Sequence, residues 1–236
     1  MQANEAAWYD KHYRQAQMSL GPWYKFSLPY LKSVVAGRMK LIEMGCGQGL
    51  LLREIAQAKL IPEENIYGMD QSQTAVDFVR RALPKAHAAI GDIYHLTYEK
   101  DSFDVCLLME TIEHLEEPKP ALEQIFSVVA PGGRLLVSYP NFPRPDWRVF
   151  RWIAEALNKP HWVVLQPIDK IYRVSQVIRI VEAVGFKFEQ GIGSGYGPPY
   201  FYRLEADWMT RLLNSLGLWR LSFHPILVFR KLSQPA

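Results

Sequence analysis

An open, doubly wound and mostly parallel α/β sheet is the fold that this 236-residue chain predicts, and three observations carry the prediction. Apolar runs of strand length alternate with segments whose apolar residues recur at helical spacing. The segments between successive strands are long enough for parallel crossovers. A glycine-rich turn stands between the first strand and its helix, where sheets of this kind form ligand crevices.

Taken in order, residues 1–37 form an N-terminal helical cover. Trp8, Tyr9 and Tyr13 share helical spacing there, and WYKF at 23–26 is placed to lie over the crevice, although mutual packing of these aromatics is the plainer reading. KLIEMG at 40–45 is a buried strand, followed by the turn and by a helix in which Leu51, Leu52, Ile55 and Ala56 share one face. NIYGMD at 65–70 is the second strand, and Ala75, Val79, Ala82 and Leu83 then recur at helical spacing. AHAAI at 86–90 and FDVCLLM at 103–109 are the next two strands. Pro118 and Pro120 suit a helix start, Leu122, Ile125, Phe126 and Val129 share its face, and PGG at 131–133 ends it before the strand GRLLVSYP.

Residues 140–175 break this rhythm with five prolines, three tryptophans and a short helix near 147–157, and read as an inserted cap. SQVIRIVEAVGF returns to helix, KFEQGIG supplies a strand, and Leu204, Trp208, Leu212 and Leu216 mark a helix before a final strand around 221–230. His224 and Pro225 disturb that strand, which therefore needs an edge position, a bulge or a break. No repeat or linker divides the chain, so residues 1–236 read as a single domain.

Composition narrows the functional classes. With 49% hydrophobic and 22% charged residues the chain can bury a core, and 15 Gly and 16 Pro are too few and too scattered for a collagenous or disordered chain. Cys46 and Cys106 are the only cysteines, so neither a disulfide framework nor a structural zinc site is expected. MQANEAAWYDKHY lacks a basic segment followed by an apolar one, and no apolar run reaches membrane-spanning length, so a cytoplasmic location is expected. Residues 1–139 carry a formal charge of −3 and residues 140–236 one of +6. The basic half has no dense Lys/Arg run, so it signals nucleic acid weakly and fits a basic rim around a substrate pocket equally well.

The sharpest local signal is Glu43-Met-Gly45-Cys-Gly47-Gln-Gly49. Glycines admit unusual backbone angles and close ligand approach, and the helix start offers free amide donors to a nucleotide-like ligand. A nicotinamide fingerprint needs a third glycine where Leu50 stands, so the dehydrogenase reading loses ground.

With Asp70 ending the second strand, GDI at 91–93 following the third and EHLEEP following the fourth, the chain resembles the class I S-adenosylmethionine-dependent methyltransferases, in particular their small-molecule branch. The resemblance covers residues 38–139 best and implies a Rossmann-like sheet. The implied cofactor is S-adenosyl-L-methionine, with S-adenosyl-L-homocysteine as product. It implies that Glu43 organises the glycine turn, that the main chain from Gly45 through Cys46 and Gly47 to Gly49 wraps the amino-acid portion, and that Asp70 accepts from both ribose hydroxyls. Gln71, Asp92 and Ile93 then flank the adenine, and Met109, Glu110 and Thr111 stand near the sulfonium or the entering acceptor.

Methyl transfer from an activated donor needs alignment more than covalent chemistry, and the reading calls for no metal. An O-methyltransferase still benefits from a proton acceptor, and His114 lies in the cleft-edge segment with His161 in the cap as its rival and His224 behind both. His114 can equally cap a helix or bind backbone. Asp70 and Asp92 can be turn caps, and both cysteines read as packing residues.

The acceptor expected is a small aromatic, quinone-like or lipid-like molecule, most simply methylated at oxygen. Trp147, Phe150, Trp152, Trp162, Tyr172, Tyr196, Tyr200, Phe201 and Tyr202 can line its pocket, and Arg144, Arg148, Arg151 or Arg173 can meet an anionic group. RNA or protein methylation and a noncatalytic S-adenosylmethionine-binding role are the alternatives. Transient membrane contact through the cap is compatible with this reading, and the sequence carries no code for oligomeric state.

Overall fold

The computed structural model describes residues 3–15, 24–141, 149, 152–153, 156–157, 168, 170–196 and 207–232. Helices α1 (Ala3–Gln15) and α2 (Tyr24–Val34) precede the sheet. They are followed by β1 (Leu41–Met44), α3 (Leu50–Gln57), β2 (Ile66–Asp70), α4 (Gln73–Ala82), β3 (His87–Ile90), β4 (Phe103–Met109), α5 (Pro118–Val128) and β5 (Val129–Ser138). The later described elements are α6 (Val174–Glu182), β6 (Phe186–Ile192), α7 (Asp207–Ser215) and β7 (Ile226–Lys231).

Seven strands form one sheet in the order β3-β2-β1-β4-β5-β7-β6. The first five are parallel, and β7 enters antiparallel between β5 and β6. Strand order reverses between β1 and β4, which opens a crevice at their carboxyl ends.

Side-chain alternation along β4 shows how the sheet carries two cores. Cys106 and Leu108 face a cluster with Leu122, Ile125, Val177 and Val181 from α5 and α6. Val105, Leu107 and Met109 face the opposite cluster, with Leu31 from α2, Leu51, Leu52 and Ile55 from α3, and Val79 from α4. The helical spacing read from the sequence is therefore the spacing that covers the two faces. Ser72 caps α4 by accepting from the Ala75 amide (3.1 Å), and Pro118 opens α5 where a missing amide costs little.

Three details differ from expectation. Helix α5 already ends at Val128, and Pro131-Gly132-Gly133 lies within β5, whose register against β4 shifts between the pairs Phe103↔Val129 and Val105↔Arg134. The PGG therefore forms a bulge in a strand rather than a helix stop. The last strand starts at Ile226, after a 3-10 turn at Leu218–Leu221. Pro225 precedes its hydrogen-bonded ladder, so an inner strand accommodates a proline next door.

Most of the expected cap lies outside the described residues, including Arg144, Trp147, Arg148, Phe150, Arg151, His161 and Trp162, as do Tyr200, Phe201, Tyr202 and Leu204. Of its aromatics, Trp152 is 68% exposed, while Tyr172 is buried edge-on to Tyr139. Helix α7 forms with Trp208 and Leu212 exposed. No described helix is long and apolar enough to cross a membrane.

Candidate active site

The chain between β1 and α3 turns over the crest of the sheet through three left-handed residues, Gly45, Gly47 and Gly49. The amides of Gly45 and Cys46 both donate to the Met69 carbonyl (2.8 and 3.0 Å), tying the turn to β2. A Cβ on Gly45 would lie 2.7 Å from Thr111 Oγ1, and one on Gly49 would lie 2.6 Å from Val79 Cγ2. Sterics therefore require glycine at both places, beyond the φ of 72° and 68° that already favours it.

Asp70 closes the turn from below. Its Oδ2 accepts from the Gly47 amide (2.8 Å) and its Oδ1 from the Ser72 amide (2.9 Å). Burial raises its pKa, and the amides of Ser72, Gly47 and Gln71 offset part of that rise. A carboxylate has about four lone-pair sites, so these three amides still leave room for a hydroxyl donor. Glu43 stands beside it on β1, 4% exposed, and its Oε2 has no hydrogen-bond partner. Burial, reinforced by the charge of Asp70, pushes Glu43 up to about 8.

A cavity of about 290 Å³ runs along this crest. Its wall includes Glu43, Gly45, Cys46, Gly47, Asp70, Gln71, Asp92, Ile93, Met109 and His114, so the described residues singled out in the sequence as catalytic or cofactor-binding meet there, except Gly49 and His224. Gly49 stands apart, at the start of α3 against Val79. Asp92 accepts from the Tyr94 amide (3.0 Å) and meets the His95 ring (2.9 Å). Burial pushes its carboxyl up, but the His95 and Tyr94 hydrogen bonds prevail and hold it below the ordinary range. The Cys46 and Cys106 thiols are buried and free, and burial pushes both well above their ordinary range.

At the β4 end, Glu110 has a left-handed backbone (φ 50°) and leads into the turn Ile112–His114. Ser138 Oγ donates to its Oε1 (2.7 Å), and His224 Nδ1 lies 3.1 Å from its Oε2. Burial pushes the Glu110 carboxyl up, but the charge and hydrogen bond of His224, with Ser138 and His114, outweigh it and hold the group below the ordinary carboxylate range. His114 Nδ1 lies 2.7 Å from the Ile168 carbonyl, which can only accept, so Nδ1 carries a proton. Its Nε2 is 3.7 Å from Glu113 Oε1. His161, the rival base, lies outside the described residues.

Sequence reasoning passed over several wall residues. His12 joins Tyr9 and Tyr13 in the cavity wall from α1, and Tyr94, Leu115 and Ile168 complete the mouth. The i, i+3, i+4 spacing of Tyr9, His12 and Tyr13 is a readable sign of one shared helix face. Helix α1 is held down by Asp10, which accepts from Ser72 Oγ and from the Thr74 amide (3.0 Å), and by Gln48 Nε2 donating to the Tyr13 carbonyl (3.1 Å).

Comparison with known proteins agrees with this geometry. Residues 42–137 match the family model described as a methyltransferase domain. A transposon-encoded protein of Streptomyces fradiae, itself uncharacterised, is 34% identical over 185 residues, covering 66% of this chain and 53% of that one. A ubiquinone biosynthesis O-methyltransferase of Thiobacillus denitrificans is 27% identical over 184 residues, covering 75% and 76%. The putative methyltransferase solved in complex with the Haloferax volcanii Trm112 activator superposes with a TM-score of 0.67 at 15% identity, covering 99% of this chain and 100% of that one. The chain spans about half the length of the Streptomyces relative.

Proposed function

The chain carries a class I S-adenosylmethionine-dependent methyltransferase domain, and from that premise we propose that it methylates a small aromatic or lipid-like acceptor at oxygen. The observation that carries this reading is the single cavity in which the glycine turn, Asp70, Asp92 and the β4-end groups Glu110 and His114 all take part. The donor set fits the cofactor's chemistry. The unpartnered Oε2 of Glu43 suits a cationic amino group, Asp70 retains acceptor capacity for hydroxyls, and Asp92 with Ile93 offers an acceptor beside an apolar contact for a base. The main chain of Gly45, Cys46 and Gly47 and the buried Met109 complete the cradle. When bound, S-adenosylmethionine supplies an electrophilic methyl group that needs no covalent enzyme nucleophile.

What remains for the protein is alignment and proton handling. Tyr9, Tyr13 and Tyr94 give the cavity flat apolar walls suited to an aromatic acceptor. His114 is the proton acceptor in this reading. Its Nδ1–H is committed to Ile168, so in the neutral ring Nε2 carries the lone pair, 3.7 Å from Glu113 Oε1. Tautomer and orientation are thus set before an acceptor arrives.

The test is to incubate the protein with methyl-labelled S-adenosylmethionine and metabolite, RNA and protein fractions of its native cell, and to identify labelled products by mass spectrometry. Label on oxygen in an aromatic or lipid product is the expected result. Label confined to RNA or protein overturns the substrate class, and failure to bind S-adenosylhomocysteine overturns the reading altogether.

A further inference from the structure

The crest of the sheet sets an order: Asp92 after β3, Asp70 at β2, the glycine turn after β1, and Glu110 after β4. A nucleoside and its amino-acid arm spread over the first three leave the β4 end for the molecule they react with. Glu110 is the carboxylate directly after β4, with 20% of its side chain exposed.

That carboxylate is fixed from behind. Ser138 belongs to β5 and His224 to the entry of β7, and each donates to a different oxygen of Glu110. Neither donor lines the cavity, whereas Glu110 does, and with one partner on each oxygen its carboxylate retains acceptor capacity. His224 is itself held. Its amide donates to the Ser194 carbonyl (3.0 Å), its carbonyl accepts from Ser194 Oγ (3.0 Å), and its ring packs edge-on to Phe223 at 4.4 Å. The left-handed backbone of Glu110 is unfavourable for a non-glycine residue, and it is secured by the Glu110 amide donating to the Ser138 carbonyl (3.0 Å). Glu116 also lines the cavity, and among the described lining residues there is no Lys or Arg.

We propose, resting on the methyltransferase reading above, that Glu110 anchors the acceptor, that His224 is its positioning residue, and that the cavity prefers an acceptor presenting a protonated amine or a hydroxyl to one presenting a carboxylate. Oxygen and nitrogen acceptors both satisfy this rule; acidic ones do not. Besides His224, the titratable groups around Glu110 are His114 on the turn after β4, Glu113 beside it, and Tyr139 after β5.

The experiment uses the full chain saturated with S-adenosylhomocysteine and titrates benzylamine, benzyl alcohol and benzoate by ligand-detected NMR. These probes share one ring and differ in a single group. Wild type should bind benzylamine at least about tenfold more tightly than benzoate, with the alcohol between them. Glu110→Gln should abolish the preference. His224→Gln keeps a neutral donor and removes the ring's charge, so the preference should persist at pH 8 and vanish, as pH is lowered, at a higher pH than in wild type. A purely structural role for His224 would lower the melting temperature without moving that pH profile. Equal or tighter binding of benzoate, no detectable binding of benzylamine, or a preference that survives Glu110→Gln overturns the proposal while leaving the methyltransferase reading intact. Absence of S-adenosylhomocysteine binding takes both down together.

Discussion

Glu43 and Glu110 stand near the tips of neighbouring strands, line one cavity, and lie on opposite sides of the ordinary carboxylate range. Both suffer desolvation, so burial alone does not explain the difference. Glu43 has Asp70 for a neighbour and one oxygen without a partner, and its proton is held up to about 8. Glu110 has His224 and Ser138 and stays ionised. The β1 tip thus leaves a carboxyl oxygen open to a partner from outside the chain, whereas the β4 tip has its carboxylate held in place by the chain's own groups. In one cleft, the first suits a cationic cofactor group and the second a fixed anchor for a changing acceptor.

The largest effect on this contrast is expected from Asp70→Ala. The change removes the acceptor for the Gly47 and Ser72 amides and the charge that helps raise Glu43. Calorimetry should show S-adenosylhomocysteine affinity falling about 100-fold, the order expected for losing two hydrogen bonds to charged groups and leaving amides unpaired. Affinity within a few-fold of wild type would detach Asp70 from the cofactor end.

Gly45→Ala tests the seam between the two tips. The new methyl would meet Thr111 Oγ1 at 2.7 Å at a φ of 72°, and Thr111 belongs to the β4 side. Left-handed strain alone costs about 1–3 kcal/mol, so both melting temperature and cofactor affinity should drop. If only stability falls, the turn tolerates displacement and the two tips are less coupled than their contact implies.

Glu43→Gln sharpens the contrast through pH. Below about 4.5 the folded and unfolded chains both hold the Glu43 proton; between about 4.5 and about 8 the unfolded chain releases it while the folded chain keeps it. The stability this group contributes is therefore fully present below the unfolded value and lost as pH rises through the folded one. The unliganded variant should melt close to wild type near pH 4.5 and several degrees higher at pH 8.5, at about 2–4 °C per kcal/mol for a domain of this size. An equal melting temperature at both pH values would mean that Glu43 is not held protonated.

The two tips also differ in how far they could be read from the sequence. The β1 tip is local: strand, glycine turn and helix occupy residues 41–57, and the acid that supports them ends the next strand, so spacing alone reveals the unit. The β4 tip is assembled from afar. Glu110 and His224 are 114 positions apart, and their meeting depends on β7 inserting antiparallel beside β5, which no periodicity announces. The same nonlocality moved the last strand past Pro225, and the bulge turned PGG from a stop signal into part of β5. His114 was legible as a titratable group at the cleft edge, but its tautomer depends on Ile168, 54 positions away.

The smallest effect is expected where α1 is fastened to the cofactor end. Asp10 accepts from Ser72 Oγ and the Thr74 amide, and those hydrogen bonds, the Ser72 one foremost, hold its carboxyl below the ordinary range. Ser72 is also the cap of α4 and follows the strand that ends in Asp70, so α1 is fastened to the same short segment that shapes the cofactor end. Asp10→Ala should cost about 1 kcal/mol or less, the usual worth of exposed hydrogen bonds, and should hasten hydrogen exchange in α1 with little change elsewhere. Because Tyr9, His12 and Tyr13 ride on that helix, S-adenosylhomocysteine should dissociate a few times faster, while the benzylamine-to-benzoate ratio set by Glu110 stays as in wild type. A change in that ratio would show that the cover helps set the charge preference as well, and that the division between a cofactor tip and an acceptor tip is incomplete.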